Sequence, residues 1–334
     1  MSLTVALIGA GIISSEHLKA ISRMKELQAI AVADIDEAKV KEVSREYNLI
    51  GYVDYRELVQ NENPDIVVIS LPHFLHKDAA IFCARNGCHI LLEKPMALNT
   101  QECDEILQAA LDHDVQLMIG HIQHYFPEND VAKKMIHEGD LGELVQITET
   151  RHMNYFKQDR PAWFLERDKA GGGIMMNLGA HSIDKIQWLL NSRFSRVMSN
   201  LSFHSRHLGI SSDIEGSGLM YLETEKGVPV TISISGYEVV PKHITELIFT
   251  KGMMKVEVGK GVYVSQGGSY SQVPTPSDKS PFEKQFMELI DAIQGKRILE
   301  NSGSYGKSVV NVIQGIYESH ERRNIIEINE VGVD

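Results

Sequence analysis

The stretch Thr4-Val-Ala-Leu-Ile-Gly-Ala-Gly-Ile-Ile-Ser14 constrains this chain more than any other. The run Val5 to Ile8 has no polar residue to offer a solvent face, so it reads as a strand buried on both sides. Glycines at 9 and 11 follow where the chain must turn sharply beneath a helix start. Such a turn suits a dinucleotide. Its pyrophosphate sits against backbone N–H groups at a helix N-terminus, where a side chain would block approach. Gly9 would supply the tight turn and Gly11 the close approach, with Ile12 and Ile13 opening the helix beside the cofactor. The third small residue of G-x-G-x-x-G is Ser14, a departure expected to loosen helix packing slightly. Two glycines alone also fit an ordinary strand-to-helix turn.

The next strand adds weight. Ala29 to Ala33 is a second apolar run that ends in Asp34, 20 residues beyond Ser14, at the spacing where an acidic side chain meets the adenosine ribose. Its carboxylate would accept bonds from the ribose hydroxyls and repel a 2′-phosphate, so the expected cofactor is NAD rather than NADP.

At 334 residues the chain exceeds the usual size of one core, so two domains are expected, 1–122 and 123–334. A formal charge of −12, with no run of lysines or arginines, argues against nucleic acid or an anionic membrane as partner. Cys83, Cys88 and Cys103 do not make a disulfide framework, and no ligand spacing suggests a metal. A reducing cytoplasm fits. No signal-peptide pattern and no stretch of eighteen apolar residues is present, so export and membrane spanning are not expected.

Strands and helices alternate to about residue 120. Glu37 to Tyr47 reads as a helix, Ile66 to Ser70 as a buried strand, Lys77 to Asn86 as a helix closing at Gly87, and His89 to Leu92 as a strand. Asn99 can cap a helix with Glu102 returning the bond and Cys103, Ile106, Leu107, Ala110 and Leu111 forming its apolar stripe. Val115 to Ile119 is the last strand. This alternation predicts an α/β Rossmann-type, doubly wound parallel sheet with its ligand crevice beyond the carboxyl ends of the strands. Those ends carry Ser70-Leu71-Pro72-His73 with His76, Glu93-Lys94-Pro95, and Gly120-His121 with His124.

After about residue 123 the pattern changes to alternating strands. Leu144 to Thr150, Gly218 to Glu223 and Pro229 to Ser235 each read as sheet with one face buried. Lys251-Gly252 reads as a hairpin turn, 260–280 as an irregular excursion, and Phe282 to Gln294 and Tyr305 to Ser319 as closing helices. Gly171-Gly172-Gly173 would let backbone pass close to a ligand. A helix then carries Asn177, His181 and Asp184, with Asn177 and His181 on one face.

Taken in order, Gly9-x-Gly11 with His17, Pro72-x-x-x-His76, Glu93-Lys94-Pro95 and Gly171-Gly172-Gly173 followed by Asn177-x-Gly179-x-His181-x-x-Asp184 resemble the glucose-fructose oxidoreductase, inositol dehydrogenase and rhizopine-catabolism (GFO/IDH/MocA) family. The resemblance spans nearly the whole chain. It implies an NAD-binding Rossmann domain, then an α+β domain whose open, mostly antiparallel sheet serves in homo-oligomerisation as a dimer or tetramer. The closing helices would pack near the first domain. It implies cofactor contacts from Gly9, Gly11, Ile12, Ile13, Asp34, Ser70, Leu71, Pro72, His73, His76, Glu93, Lys94 and His121. It also implies a catalytic lysine at Lys94 working with the Asn177 and His181 stretch.

Hydride transfer gives those two residues separate tasks. Oxidising a secondary alcohol requires a base of pKa near 7 for the hydroxyl proton, which suits His181, and a cation for the developing negative charge, which suits Lys94. Glu93 is expected to hold the strand end, and the Lys94-Pro95 bond could be cis. Asn177 departs from the family's usual Asp, so an amide stands where a carboxylate could raise a neighbouring pKa. Arg151, Arg160 and Trp163 are natural contacts for a sugar or polyol, and equally natural structural residues; His124 is expected to be structural, and His204 with His207 form no metal pair. The expected function is an NAD-dependent oxidoreductase on a hydroxyl or keto carbon of a sugar, inositol or related polyol. The substrate contacts expected are Lys94, His121, Arg151, Trp163, Asn177 and His181. The alternatives are a non-catalytic NAD-binding regulator and a relative that cleaves glycosides through transient oxidation.

Overall fold

Six short strands pair in parallel in the first part of the chain, in the order β3-β2-β1-β4-β5-β6. They are β1 Leu3–Ile8, β2 Leu27–Ala33, β3 Ile50–Tyr52, β4 Ile66–Ile69, β5 His89–Leu92 and β6 Leu117–Ile119. The structure, a computed structural model, describes residues 2–157, 159–277 and 279–329. Residues 1 and 330–334, at the outer ends of the two expected domains, lie outside the described residues, as do 158 and 278.

Central strands β1 and β4 have no solvent face: Val5 to Ile8 and Ile66 to Ile69 are all buried. That is why they read as unbroken apolar runs. Helices α1 Ile12–Ile21, α2 Glu37–Tyr47, α3 Tyr55–Glu62, α4 His76–Arg85 and α5 Thr100–Asp112 connect the strands. Their ends follow local chemistry. Asp36 accepts bonds from the N–H groups of Ala38 and Lys39 at the start of α2, and Asn48 adopts the left-handed conformation at its end. At α5 the Asn99 side chain accepts from Glu102 N at 2.9 Å, while Glu102 Oε2 accepts from Leu98 N at 3.1 Å, one residue before the expected return. Leu111, expected in the apolar stripe, is exposed, and Ala109 takes the buried place beside Cys103, Ile106 and Ala110.

The later elements are α6 Pro127–Glu138, β7 Leu144–His152, the single turn α7 Arg167–Ala170, α8 Ala180–Leu190, β8 Phe194–Ser202, β9 Ser217–Thr224, β10 Pro229–Ser235, β11 Lys242–Phe249, β12 Gly252–Glu257, β13 Gly261–Ser265, β14 Ser271–Val273, α9 Pro281–Ile293, α10 Gly303–Arg322 and β15 Ile326–Glu327. Strands β7 to β15 form one sheet in the order β14-β13-β12-β11-β7-β10-β9-β8-β15, antiparallel except where β10 runs parallel to β7. Strand β10 shows the pattern that makes such a sheet, with Val230, Ile232 and Ile234 buried between more exposed neighbours. The hairpin between β11 and β12 turns on Thr250 and Lys251, and Gly252 already pairs with Phe249. Two strands, β13 and β14, occupy part of the segment expected to be irregular. Val262 and Val264 supply an alternating pair there that the surrounding Gly, Ser and Pro obscure.

The chain forms two compact units, Met1–Ile122 with Lys279–Lys307, and Gln123–Asp278 with Ser308–Asp334. Helix α9, assigned by sequence to 123–334 with the closing helices expected to pack near the first domain, belongs to the first unit. Its Phe286, Leu289 and Ile290 join Val5, Leu18, Ile21 and Ile66 in one core, and the His17 ring sets its edge against Phe282 and Phe286.

Candidate active site

In the first unit the glycine turn separates two demands. Gly9 has φ +102°, and a β-carbon there would lie 2.5 Å from the Ser70 carbonyl oxygen, so the protein itself requires glycine. Gly11 has φ −84°, and a β-carbon there would meet nothing within 4 Å. No protein atom requires that glycine, which leaves its open side for a ligand. Ser14, the departure from the third glycine, is itself bonded into the turn. Its hydroxyl donates to Gly9 O at 2.6 Å and lies 2.5 Å from Ser70 Oγ, tying the turn to the end of β4.

Asp34 stands beside the same turn, with Oδ2 accepting from Ala10 N at 2.8 Å and Oδ1 from Asp36 N at 2.9 Å. Two large apolar side chains flank this region in full view of solvent, Ile12 at 90% and Ile35 at 93% exposed. Ile35 was missed in the sequence. An apolar residue directly after Asp34, the acid expected at the ribose, is the signal that could have found it.

The ends of β4, β5 and β6 are tied by buried polar pairs. His76 Nε2 lies 2.9 Å from Leu71 O and Nδ1 2.9 Å from Pro95 O, so one imidazole joins the loops after β4 and β5; burial draws its pKa below the ordinary histidine range. Glu93 Oε1 lies 2.9 Å from His17 Nε2, and Oε2 accepts from Lys94 N. Burial alone would raise the Glu93 pKa, but His17 and Lys94 outweigh it and hold the carboxyl below its usual range. A β-carbon at Gly120 would stand 2.9 Å from that carboxylate. Glu93 is thus a strut inside the first unit, and the Lys94-Pro95 bond it precedes is cis. Lys94 itself is half-buried, as are Ser70, Leu71 and Pro72. His73 is buried in the short turn after Pro72, and His121, 1% exposed, sets its ring edge against Tyr305. Both rings, expected from the sequence as cofactor contacts, are buried within the first unit.

In the second unit every residue from 172 to 190 is buried except Asn177 and His181. The pair therefore forms the accessible stripe of this segment. The segment is not a uniform α-helix, because Met175–Gly179 forms a π-turn, a widened turn that re-aims side chains and recurs at functional sites. Two glycines of the triple are required by packing within the second unit. A β-carbon at Gly172 would fall 1.8 Å from Tyr317 Oη and one at Gly173 2.1 Å from Glu215 O. The buried Glu215 carboxylate accepts from Gly173 N at 3.0 Å, Met175 N at 2.8 Å and Tyr317 Oη at 2.9 Å, holding the start of the segment. Burial raises the Glu215 pKa against the pull of those three donors. Nothing near residue 172 in the sequence announces this partner.

The other candidates separate into structural and open positions. His124 Nε2 meets Asp184 Oδ1 at 2.6 Å and its ring stacks on Trp188 at 4.6 Å, so both residues serve the fold of the second unit. The Arg160 guanidinium lies 3.8 Å over the Tyr155 ring, and Trp163 is half-buried and stacked on Phe164 at 3.7 Å. His204 and His207 have ring centroids 5.8 Å apart, and no group of metal-ligating residues occurs among the described residues. Beneath α8 lies a charged cluster that the sequence reading overlooked. Lys185 Nζ donates to Glu149 Oε1 and Oε2 at 3.0 and 2.9 Å and to Thr245 Oγ1 at 2.6 Å, and Ser182 Oγ donates to Glu149 at 3.1 Å. A glutamate at an inward position of β7, two residues after the buried Ile147, was the available signal.

No helix among the described residues is long and apolar enough to cross a membrane. The chain is 26% identical over 259 residues to 2,7-anhydro-N-acetylneuraminate hydratase of Escherichia coli (strain K12), spanning 77% of this chain and 68% of that protein. It is 24% identical over 314 residues to inositol 2-dehydrogenase/D-chiro-inositol 3-dehydrogenase of Lactiplantibacillus plantarum, spanning 91% of this chain and 85% of that one. The fold matches the aldose-aldose oxidoreductase from Caulobacter crescentus, complexed with glycerol, with a TM-score of 0.89 and 22% identity over 98% of this chain and 100% of that chain. Residues 3–121 match the profile described as "Oxidoreductase family, NAD-binding Rossmann fold", and residues 130–255 match the "GFO/IDH/MocA C-terminal domain". Together these two matches take in well over half of the sequence, and the chain belongs to the GFO/IDH/MocA family of NAD-binding oxidoreductases.

Proposed function

We propose that this protein oxidises a secondary alcohol of a sugar, inositol or related polyol, or reduces the corresponding ketone, with Lys94 and His181 acting on the same oxygen. The observation that carries the reading is the exposure pattern of residues 172–190, where only Asn177 and His181 escape burial. A histidine that merely filled a core would not share the one accessible stripe of an otherwise buried segment.

The first unit fits NAD. Gly11 offers backbone with open space beside it, Asp34 holds a carboxylate next to the same turn where a ribose would be met, and the exposed Ile12 and Ile35 would give apolar surface to the rest of the nucleotide. When bound, NAD supplies the hydride acceptor or donor. The remaining work falls to the chain. The Lys94 ammonium hydrogen-bonds the substrate oxygen and stabilises its developing negative charge. The His181 imidazole takes the hydroxyl proton in oxidation and returns it in reduction. Asn177 hydrogen-bonds the substrate or the imidazole without adding charge. Glu93, His17 and His76 act by holding the loops that carry Lys94 and Pro72.

The relative named as a hydratase favours a second reading. In it the sugar is oxidised transiently, eliminated or hydrated, and reduced again with no net redox change. The same Lys94 and His181 would serve. The exposed face of the second sheet, with Met198, Leu219 and Tyr221, is the surface we expect a second copy of the chain to cover.

A screen of NADH formation over inositols, aldoses, sugar phosphates and nucleotide sugars tests the main reading, with thermal shift by NAD and NADP beside it. Sustained NADH release on a polyol with the larger shift from NAD is the expected result. A burst of NADH without net release identifies the second reading. Absence of both, with an intact NAD shift, leaves a nucleotide-binding regulator.

A further inference from the structure

We propose that the Arg151 guanidinium receives an anionic oxygen group of the substrate, a carboxylate or a phosphate monoester, so that the physiological sugar is an acidic one. The inference rests on the reading of His181 and Asn177 as the substrate-facing stripe of the second unit.

Arg151 lies on β7, on the inward side shared with Ile147 and Glu149, paired in register with Ile234 of β10 and His243 of β11. Its Nη1 is sealed from solvent and has no hydrogen-bond partner, and the guanidinium makes no ion pair among the described residues. A buried donor left without an acceptor is uncommon, and a buried charge without a counterion is more costly still. The residue as a whole is only half-buried, and of its guanidinium nitrogens Nη1 alone is both sealed and unpartnered.

No neighbour supplies the missing negative charge. The Glu149 carboxylate already accepts from Lys185, Ser182 and Thr245. Burial lowers the Arg151 pKa to about 10 with Glu149 drawing it back up, so Arg151 stays charged at neutral pH. His243 is held near 4 by burial and by the Lys185 ammonium, so it stays neutral. Glu149 and Lys185 cancel, and the charge of Arg151 remains over. The position borders the stripe. Lys185 is one helical turn beyond His181 on α8, and its ammonium lies 3.2 Å from Nε2 of His243, the register partner of Arg151. A planar guanidinium presents paired donors that match a carboxylate or phosphate, which a neutral hydroxyl cannot use as fully.

The test compares aldohexoses with their uronates and 6-phosphates, by calorimetric binding in saturating NAD and by NADH formation, in wild type, Arg151→Gln and Arg151→Lys. We expect one acidic series to bind more tightly than its neutral parent, the uronates marking a carboxylate site and the 6-phosphates a phosphate site. Arg151→Gln should then lower the acid-to-neutral affinity ratio by about 10- to 100-fold. Arg151→Lys should restore part of it, and covers the case in which the glutamine variant does not fold. Neutral sugars binding as well as both acidic series, or an unchanged ratio in both variants, would overturn the inference. Turnover of neutral polyols indifferent to Arg151 keeps the oxidoreductase reading and sinks the anion site. Arg151-dependent binding of an acidic sugar without NADH does the reverse.

Discussion

A β-carbon on Gly9 would press to 2.5 Å from the carbonyl oxygen of Ser70, while Gly11, two residues on, has nothing within 4 Å of the same imagined atom. The two glycines of one turn therefore stand in different surroundings: the fold requires the first, and the proposed nucleotide would account for the second. Gly9→Ala must place alanine at positive φ against backbone, and should lower the melting temperature of the NAD-free protein by about 5 °C or more. Gly11→Ala should leave that temperature nearly unchanged and weaken NAD binding by about tenfold or more. Calorimetry with and without NAD separates the cases. Equal destabilisation by both would mean that Gly11, too, is a packing residue.

Asn177→Asp places a carboxylate on the accessible stripe that His181 shares. A nearby negative charge raises an imidazole pKa. His181 must be unprotonated to accept the alcohol proton, so the acid limb of kcat/KM for oxidation should move to higher pH, by about one unit. A pH profile in the oxidative direction checks this. An acid limb that stays in place would remove His181 from the role of base.

Much of the first unit was legible because its signals are local. The strand from Val5, the helix Glu37–Tyr47 with its Asp36 cap, and Asp34 at the end of β2 each depend on neighbours within a few residues. Alternation in Pro229–Ser235 revealed a sheet strand for the same reason. What stayed hidden depends on partners far along the chain. The triple glycine looked like a ligand cradle until Tyr317 and Glu215 closed over it, and the π-turn at Met175–Gly179 has no residue pattern that distinguishes it from an α-helix. Helix α9 joined the first unit through Phe282 and Phe286 against His17, a contact across more than half the sequence.

The Glu149 and Lys185 pair predicts how stability follows pH. Burial by itself would raise the Glu149 pKa, but Lys185, His243 and Thr245 bring it from 4.5 to about 2. The unfolded chain then takes up that proton first, so the pair's contribution is full above pH 4.5 and drains away as pH falls toward 2. Glu149→Gln leaves the Lys185 ammonium buried with no counterion, and should cost about 3–5 kcal/mol at pH 7. It should also flatten the loss between pH 5 and 3. Urea midpoints across that range test both. A variant as stable as wild type at pH 7 would mean that the cluster tolerates an uncompensated ammonium.

The account depends on Lys94 and His181 working on one oxygen, and a double-mutant cycle in kcat measures that directly. With any polyol that supports NADH formation, Lys94→Ala and His181→Ala should each lower kcat by about a hundredfold or more while NAD affinity holds. The double variant should fall little further than the worse single one, because each group is useless without the other. Losses that multiply, or single variants that keep normal rates, would contradict a shared site.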